Sequence, residues 1–163
     1  CGKLILSLAW KKPGVQESRN YDQEGRKMDA KKNRRVIYIE DDQEMIDLVS
    51  MILSRRGYQV TGAQGGKQGL ELVNQEAPDL ILLDLMMPDI DGWDVYQQIK
   101  SHDATRHIPV IVITAKAQAI DRVLGLHIAK VDDYISKPFR PQELLESIET
   151  VLGSEEEEKN QSS

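Results

Sequence analysis

The sequence predicts an α/β fold in which a doubly wound sheet of parallel strands is covered by helices on both faces. Two observations carry this prediction. Short apolar runs rich in β-branched residues alternate with longer segments whose apolar residues recur every three or four positions. Five such alternations fall within 36–152, and right-handed crossovers then leave a doubly wound sandwich as the topology.

The first four elements follow in order from these patterns. An apolar run at 36–39 predicts strand β1, and apolar residues at helical spacing over 45–53 predict helix α1. The pair Arg56-Gly57 then marks the end of α1, because glycine readily adopts the left-handed conformation that closes a helix. Strand β2 is expected at 58–63 and helix α2 at 65–76.

The remaining elements continue the alternation. Two of the strands are continuously apolar, which is typical of parallel strands buried on both faces. The predicted elements are β3 at 80–83, α3 at 93–99, β4 at 110–113, α4 at 119–126, β5 at 134–135 and α5 at 141–152.

Charge is distributed unevenly along the 163 residues, whose formal net charge is −6. Residues 1–35 hold ten basic and four acidic side chains, whereas 153–163 hold four glutamates and one lysine, which leaves −9 for 36–152. We therefore expect a disordered basic extension at 1–34, one folded domain at 35–152 and a disordered acidic tail at 153–163. A domain this acidic is not expected to bind nucleic acid.

Composition excludes two classes of protein. No apolar run approaches the roughly 20 residues that a membrane-spanning helix needs. The single cysteine, Cys1, cannot form an internal disulfide, which excludes a small disulfide-stapled scaffold. The apolar patch at 4–10 is short and no small-residue cleavage site follows it, so we expect a cytoplasmic protein without a signal peptide.

Polar side chains follow four of the predicted strands. They are Glu40, Asp41 and Asp42 after β1, Asp84 after β3, Thr114 after β4 and Lys137 after β5. Because parallel strands place their carboxyl ends at one edge of the sheet, where ligands bind, we expect these groups to converge. Each could be structural when taken alone, and for Asp42 we prefer the role of N-cap of α1.

The chemistry of this set indicates phosphoryl transfer. Clustered carboxylates with no nearby histidine or cysteine select Mg²⁺, or Mn²⁺, over Zn²⁺. Asp84 is then a candidate phosphoryl acceptor, Glu40 and Asp41 hold the metal ion, and Thr114 and Lys137 receive the phosphoryl oxygens.

The segments that carry these residues resemble the receiver domain of two-component response regulators. The resemblance covers 35–42, 79–92, 108–115 and 132–139. It implies the flavodoxin-like fold, a five-stranded parallel sheet in the order 2-1-3-4-5 with five helices.

The resemblance also implies a role for each site residue. Asp84 matches the phosphoacceptor, and Glu40 and Asp41 match the acidic pair that binds Mg²⁺, with the backbone carbonyl of Met86 as a further metal ligand. Thr114 matches the switch hydroxyl, and Ala115 matches the small residue that leaves access to the phosphate.

Three more matches lie around β5. Lys137 matches the lysine that contacts the phosphoryl group, and the Lys137–Pro138 peptide bond matches one that is cis in relatives. Tyr134 matches the aromatic residue that changes rotamer together with Thr114. One departure is the segment 125–133, which is one residue longer than usual and lacks the customary Gly-Ala pair.

The function expected from these features is a phosphorylation-dependent signalling switch, not an enzyme. A histidine kinase or phosphotransfer protein would phosphorylate Asp84, and the α4-β5-α5 surface would then change its affinity for a downstream protein, as a monomer or a phosphorylation-dependent dimer. Self-dephosphorylation is expected to be slow, because neither Met86 nor Lys116 can position an attacking water as an acid or amide would.

Two alternatives remain open. A metal-dependent phosphohydrolase similar to the haloacid-dehalogenase family would also form an aspartyl phosphate, but such enzymes place a second aspartate where Met86 stands. A DNA-binding regulator is the other alternative. Only eleven residues follow Leu152, so an output domain would have to lie outside this sequence.

Overall fold

Five parallel strands form one sheet in the order β2-β1-β3-β4-β5. The computed structural model describes residues 33–115 and 130–161, and in the last helix the side chains as far as Ser154. The strands are β1 Arg35–Glu40, β2 Gln59–Gln64, β3 Leu80–Leu83, β4 Val110–Thr114 and β5 Asp133–Ser136. The predicted doubly wound fold and its strand order are thereby confirmed.

Helices cover both faces of this sheet. They are α1 Gln43–Ser54, α2 Gly66–Glu76, α3 Gly92–Ser101 and α5 Pro141–Gln161. The predicted α4 at 119–126 lies outside the described residues, and the last helix keeps the name α5. Within the part of the chain that is described, no helix is long and apolar enough to cross a membrane.

Helix α5 runs nine residues past the end expected at Leu152, as far as Gln161. Glutamate favours the helical conformation, and four glutamates follow in this stretch. A Cβ placed on Gly153 would have no atom within 4 Å. A glycine with open space around it costs a helix about 1 kcal/mol but does not end it. The chain therefore remains helical where a disordered tail was expected.

Two apolar clusters hold the helices to the sheet. One lies under α1 and α5 and includes Tyr38, Val49 and Ile148. The other lies under α2 and α3 and is formed by alternate residues of the same strands. All residues of β3 and β4 are buried, because these strands contact both clusters. Because helices cover both faces of the sheet, polar groups can gather at the edge where the parallel strands have their carboxyl ends.

Local sequence signals account for the start of α1. Asp42 is its N-cap, and the carboxylate accepts hydrogen bonds from the backbone N–H groups of Glu44 at 2.9 Å and Met45 at 3.4 Å. The structural role that we preferred for Asp42 is therefore confirmed, and it separates this residue from its two acidic neighbours.

Candidate functional site

Strand register brings the sequence-predicted groups to one edge of the sheet. Ile39 of β1 lies beside Leu83 of β3. The residue that follows in the chain is an acid in both cases: Glu40, the last residue of β1, and Asp84, directly after β3. The Asp84 N–H donates to the Ile39 carbonyl at 2.9 Å, which fixes the two strand ends against each other.

Three carboxylates gather at this edge. Glu40, Asp41 and Asp84 each offer one oxygen, and these oxygens lie within 4.8 Å of one another. Only 1% of Glu40 and 4% of Asp84 is exposed, whereas Asp41 faces solvent. Carboxylates this close repel one another, and burial removes the water that would screen them.

Lys137 brings a positive charge to these carboxylates. Its Nζ lies 3.0 Å from Asp84 Oδ2 and also contacts Glu40 Oε2. Burial lowers the pKa of Lys137, but its hydrogen bonds to Glu40 and Asp84 outweigh burial and raise that pKa above its usual value. Burial raises the pKa of Glu40, although hydrogen bonds from Lys137 and Tyr38 act in the opposite direction.

The end of β4 adds a buried hydroxyl. Thr114 is fully buried, and its Oγ1 has no hydrogen-bond partner in the described part of the chain. Its carbonyl accepts from the Lys137 N–H at 3.0 Å, so Thr114 and Lys137 are held on adjacent strands. A buried hydroxyl without a hydrogen-bond partner costs about 1–3 kcal/mol. Such hydroxyls are therefore unusual in proteins unless a bound group supplies the missing partner.

The other residues expected near the switch have different surroundings. Ala115 is exposed and follows Thr114 directly. Tyr134 is buried in β5, where it pairs with Val112 of β4. The peptide bond from Lys137 to Pro138 is cis. The described residues do not include Lys116. They also do not include 125–129, the first part of the segment 125–133 that departs from the usual pattern.

The loop after β3 is pinned at both ends. Asp84 Oδ1 accepts from the Met86 N–H at 2.9 Å, while the Met86 side chain points into solvent. The Gly92 N–H donates to the Leu85 carbonyl at 3.1 Å. A Cβ on Gly92 would lie 2.3 Å from Leu85 Cα, so only glycine allows the loop to close this tightly.

The donor set suits a divalent cation. Three carboxylates and one ammonium leave two negative charges at the edge, and all the described donors are hard oxygen atoms. Mg²⁺ and Mn²⁺ prefer such ligands. The carboxylates of Glu40, Asp41 and Asp84 would hold the ion, and it would supply positive charge beside Asp84.

Two residues of this region were missed by the sequence reasoning. The Tyr38 hydroxyl donates to Glu40 Oε2 at 2.8 Å. The strand period of two, which puts Tyr38 and Glu40 on one face, could have indicated this contact. Asp89 accepts from the N–H groups of Gly66 and Lys67, each at 3.1 Å. No local pattern signals this contact, because it joins residues more than 20 positions apart.

Comparison with protein families matches residues 36–149 to the model of the response regulator receiver domain. The transcriptional regulatory protein GltR of Pseudomonas aeruginosa is 39% identical over 119 residues, which is 73% of this chain and 49% of GltR. The DNA-binding dual master transcriptional regulator RpaA of Synechocystis is 41% identical over 118 residues, or 72% of this chain and 48% of RpaA. The chain thus spans about half the length of these curated relatives.

Solved structures give the same result. A CheY-like receiver domain protein from Methanospirillum hungatei superposes with a TM-score of 0.70 at 32% identity, covering 77% of this chain and 98% of that one. The N-terminal domain of a response regulator receiver protein from Methanoculleus marisnigri gives a TM-score of 0.60 at 37% identity, covering 73% and 96%. The chain therefore belongs to the response regulator receiver domain family.

Proposed function

We propose that this chain is a phosphorylation-dependent switch that accepts a phosphoryl group on Asp84 from a histidine kinase, with Mg²⁺ bound by Glu40, Asp41, Asp84 and the Met86 carbonyl. Receiver domains are phosphoacceptor modules of two-component systems and bind Mg²⁺ at an acidic pocket. The carrying observation is the meeting of three carboxylates with Lys137 at one sheet edge. The proposal places the chain in the cytoplasm, beside the phosphohistidine of the kinase.

The transfer step uses groups that already face one another. An oxygen of Asp84 attacks the phosphorus, and the new O–P bond forms as the P–N bond to the kinase histidine breaks. The departing imidazole nitrogen keeps the electron pair and takes up a proton from solvent water, which leaves the kinase histidine neutral. Lys137, 3.0 Å from Asp84 Oδ2, supplies positive charge to the phosphoryl oxygens.

Thr114 couples this step to the rest of the fold. Its hydroxyl is buried without a partner among the described residues and can donate to a phosphoryl oxygen. Ala115 leaves access to that oxygen, and Tyr134 changes its rotamer together with Thr114. The consequence is a changed α4-β5-α5 surface, which binds a downstream protein or a second copy of the chain.

Incubation with acetyl phosphate and Mg²⁺, followed by intact mass measurement, tests the acceptor. We expect the unaltered chain to gain one phosphoryl group and Asp84→Asn to gain none. Asp94→Asn, a change to an exposed acid in the first turn of α3, serves as the matched control and should be phosphorylated normally. Phosphorylation of Asp84→Asn would contradict the assignment of the acceptor.

The stability of the phosphorylated state is a second test. Neither Met86, whose side chain is exposed, nor Lys116 can act as a general base for water, so we expect slow self-dephosphorylation. Removal of acetyl phosphate on a desalting column, followed by timed mass spectra, measures the decay. Met86→Asn should accelerate it, and loss of the phosphoryl group from the unaltered chain within seconds would contradict this expectation.

The names and lengths of the relatives favour a second, compatible candidate. GltR and RpaA are transcriptional regulators of about twice the matched length. The described domain would then be the receiver part of a DNA-binding response regulator. Sequencing of the genomic reading frame that encodes this chain tests the idea, and a stop codon directly after Ser163 would contradict it.

A further inference from the structure

Tyr38 places a polar group in the apolar middle of β1, between Ile37 and Ile39. It is fully buried in the cluster under α1 and α5. Its neighbours across the sheet are Gly62 of β2 and Leu82 of β3, so neither adjacent strand offers a polar side chain at that level. Its hydroxyl donates instead along β1 to Glu40 Oε2 at 2.8 Å.

The two oxygens of Glu40 are used differently. Oε2 receives both the Tyr38 hydroxyl and the Lys137 ammonium, which occupy its two lone pairs. Among the described residues, Oε1 accepts only the Asp42 N–H, at a longer 3.3 Å. The hydrogen bonds therefore hold Oε2 and leave Oε1 able to accept a further partner, such as a cation.

Lys137 cannot be a permanent anchor for Glu40. It is shared with Asp84 Oδ2 at 3.0 Å, and the proposed function requires it to turn toward phosphoryl oxygens. The Tyr38 hydroxyl is donated from the buried core, so it stays on Glu40 when Lys137 is drawn away. Glutamate needs such an anchor more than aspartate does, because its carboxylate has one more rotatable bond.

We propose that Tyr38 is a positioning residue, which fixes the Glu40 carboxylate so that Oε1 faces the divalent cation. This inference rests on the proposed function for the identity of the cation and for the movement of Lys137. Tyr38 touches neither the cation nor the phosphoryl group and acts through Glu40 alone. Removal of its hydroxyl should therefore weaken metal binding only when a glutamate is present at position 40.

Calorimetric titration with MgCl₂ of four full-length chains tests the inference. These four are the unaltered chain, the Tyr38→Phe variant, the Glu40→Asp variant and the double variant. We expect Tyr38→Phe to raise the Kd for Mg²⁺ about tenfold, the size typical for loss of a partner behind a metal ligand. In the Glu40→Asp background the same change should leave the Kd within about twofold, because the shorter carboxylate no longer reaches the hydroxyl.

A second measurement separates positioning from stability. Beryllofluoride occupies the phosphoryl position and draws Lys137 away, so Tyr38→Phe should weaken beryllofluoride binding by a larger factor than it weakens Mg²⁺ binding. Tyr58→Phe is the matched control. It also removes a tyrosine hydroxyl, but from a buried residue that precedes β2, at the opposite edge of the sheet. It should change neither constant, whatever its effect on the melting temperature.

The outcomes distinguish the two proposals. If the unaltered chain binds Mg²⁺ and Tyr38→Phe binds it equally well or more tightly, this inference is overturned and the proposed function stays intact. A tenfold loss that persists in the Glu40→Asp background would also overturn it, since Tyr38 would then act through general packing. Failure of the unaltered chain to bind Mg²⁺ would overturn both.

Discussion

At the scale of single residues, the buried hydroxyl of Thr114 is the clearest conflict between stability and function. Its Oγ1 has no partner among the described residues, and an unpaired buried hydroxyl costs about 1–3 kcal/mol. Valine has nearly the same shape and favours strands. We expect Thr114→Val to raise the free energy of unfolding by about 1 kcal/mol and to reduce the stabilisation that beryllofluoride confers, both measured by urea denaturation.

Thr105 provides the matched control for this prediction. It is 4% exposed, and its hydroxyl donates to the Ile99 carbonyl at 2.7 Å. Thr105→Val removes a satisfied hydroxyl and should lower the free energy of unfolding by about 1 kcal/mol, with no change in the beryllofluoride effect. If both valine variants lose stability equally, the Thr114 hydroxyl has a hydrogen-bond partner within the protein, and the prediction is wrong.

At the scale of elements, Gly92 lets the loop after β3 close against the strand. A Cβ there would lie 2.6 Å from the Asp84 carbonyl oxygen as well as 2.3 Å from Leu85 Cα. Backbone atoms cannot give way as a flexible side chain can. We expect Gly92→Ala to lower the free energy of unfolding by about 2–4 kcal/mol, in the range of a severe packing defect, and to weaken Mg²⁺ binding, because the loop carries Met86.

Gly153 is the control for the same substitution in a helix. A Cβ on it meets no atom within 4 Å, and it lies inside α5. Gly153→Ala should therefore raise stability by about 0.5–1 kcal/mol, the difference in helix propensity between the two residues. If Gly92→Ala and Gly153→Ala changed the free energy of unfolding equally in urea denaturation, the room available for a Cβ would not explain their effects.

The N-terminus of α2 depends on a residue from a different element. Gly65 precedes α2 and makes no side-chain cap, whereas Asp89 accepts from the N–H groups of Gly66 and Lys67. The Lys67 N–H in particular lowers the pKa of Asp89 below its ordinary value. Loss of such a cap costs about 1 kcal/mol, so Asp89→Ala should destabilise the protein by about that amount near neutral pH.

The pH dependence of this cap has a definite sign. Because the pKa of Asp89 is lower in the folded state, its contribution is fully present above the unfolded pKa of about 3.9 and is lost as pH falls below it. The difference between the unaltered chain and Asp89→Ala should shrink at acid pH in urea titrations. Asp103→Ala, a change in an exposed ion pair with Arg106, should show only a small difference at any pH.

What the sequence could predict depended on the range of the interaction. The apolar runs of β3 and β4 and the acids that follow β1 and β3 are local patterns, so the α/β fold and the gathering of Glu40, Asp41 and Asp84 could be anticipated from them. The strand order followed from the resemblance to receiver domains. The cap that Asp89 supplies is a tertiary contact that no periodicity encodes. The strand period of two places Tyr38 and Glu40 on one face but does not show that the hydroxyl reaches the carboxylate. Helix α5 continues past the predicted end at Leu152, because the glutamates beyond it favour the helix and Gly153 does not end it.

At the scale of the whole molecule, the excess negative charge gives two separable responses to salt. Residues 36–152 hold −9 of formal charge, and any salt should relieve the general repulsion by screening. Specific binding at the sheet edge should add to this for Mg²⁺. At a concentration tenfold above Kd the added stabilisation is about 1.4 kcal/mol, or roughly 5 °C in melting temperature for a domain of this size.

Thermal melts in MgCl₂ and NaCl at equal ionic strength separate the two responses. We expect a saturable excess in MgCl₂, which Asp41→Asn abolishes, because this exposed carboxylate contributes a cluster oxygen without supporting the core. Asp94→Asn removes the same charge from the exposed side of α3 and should keep the excess. Equal shifts in the two salts would mean that the acidic edge acts only through bulk electrostatics and binds no cation of its own.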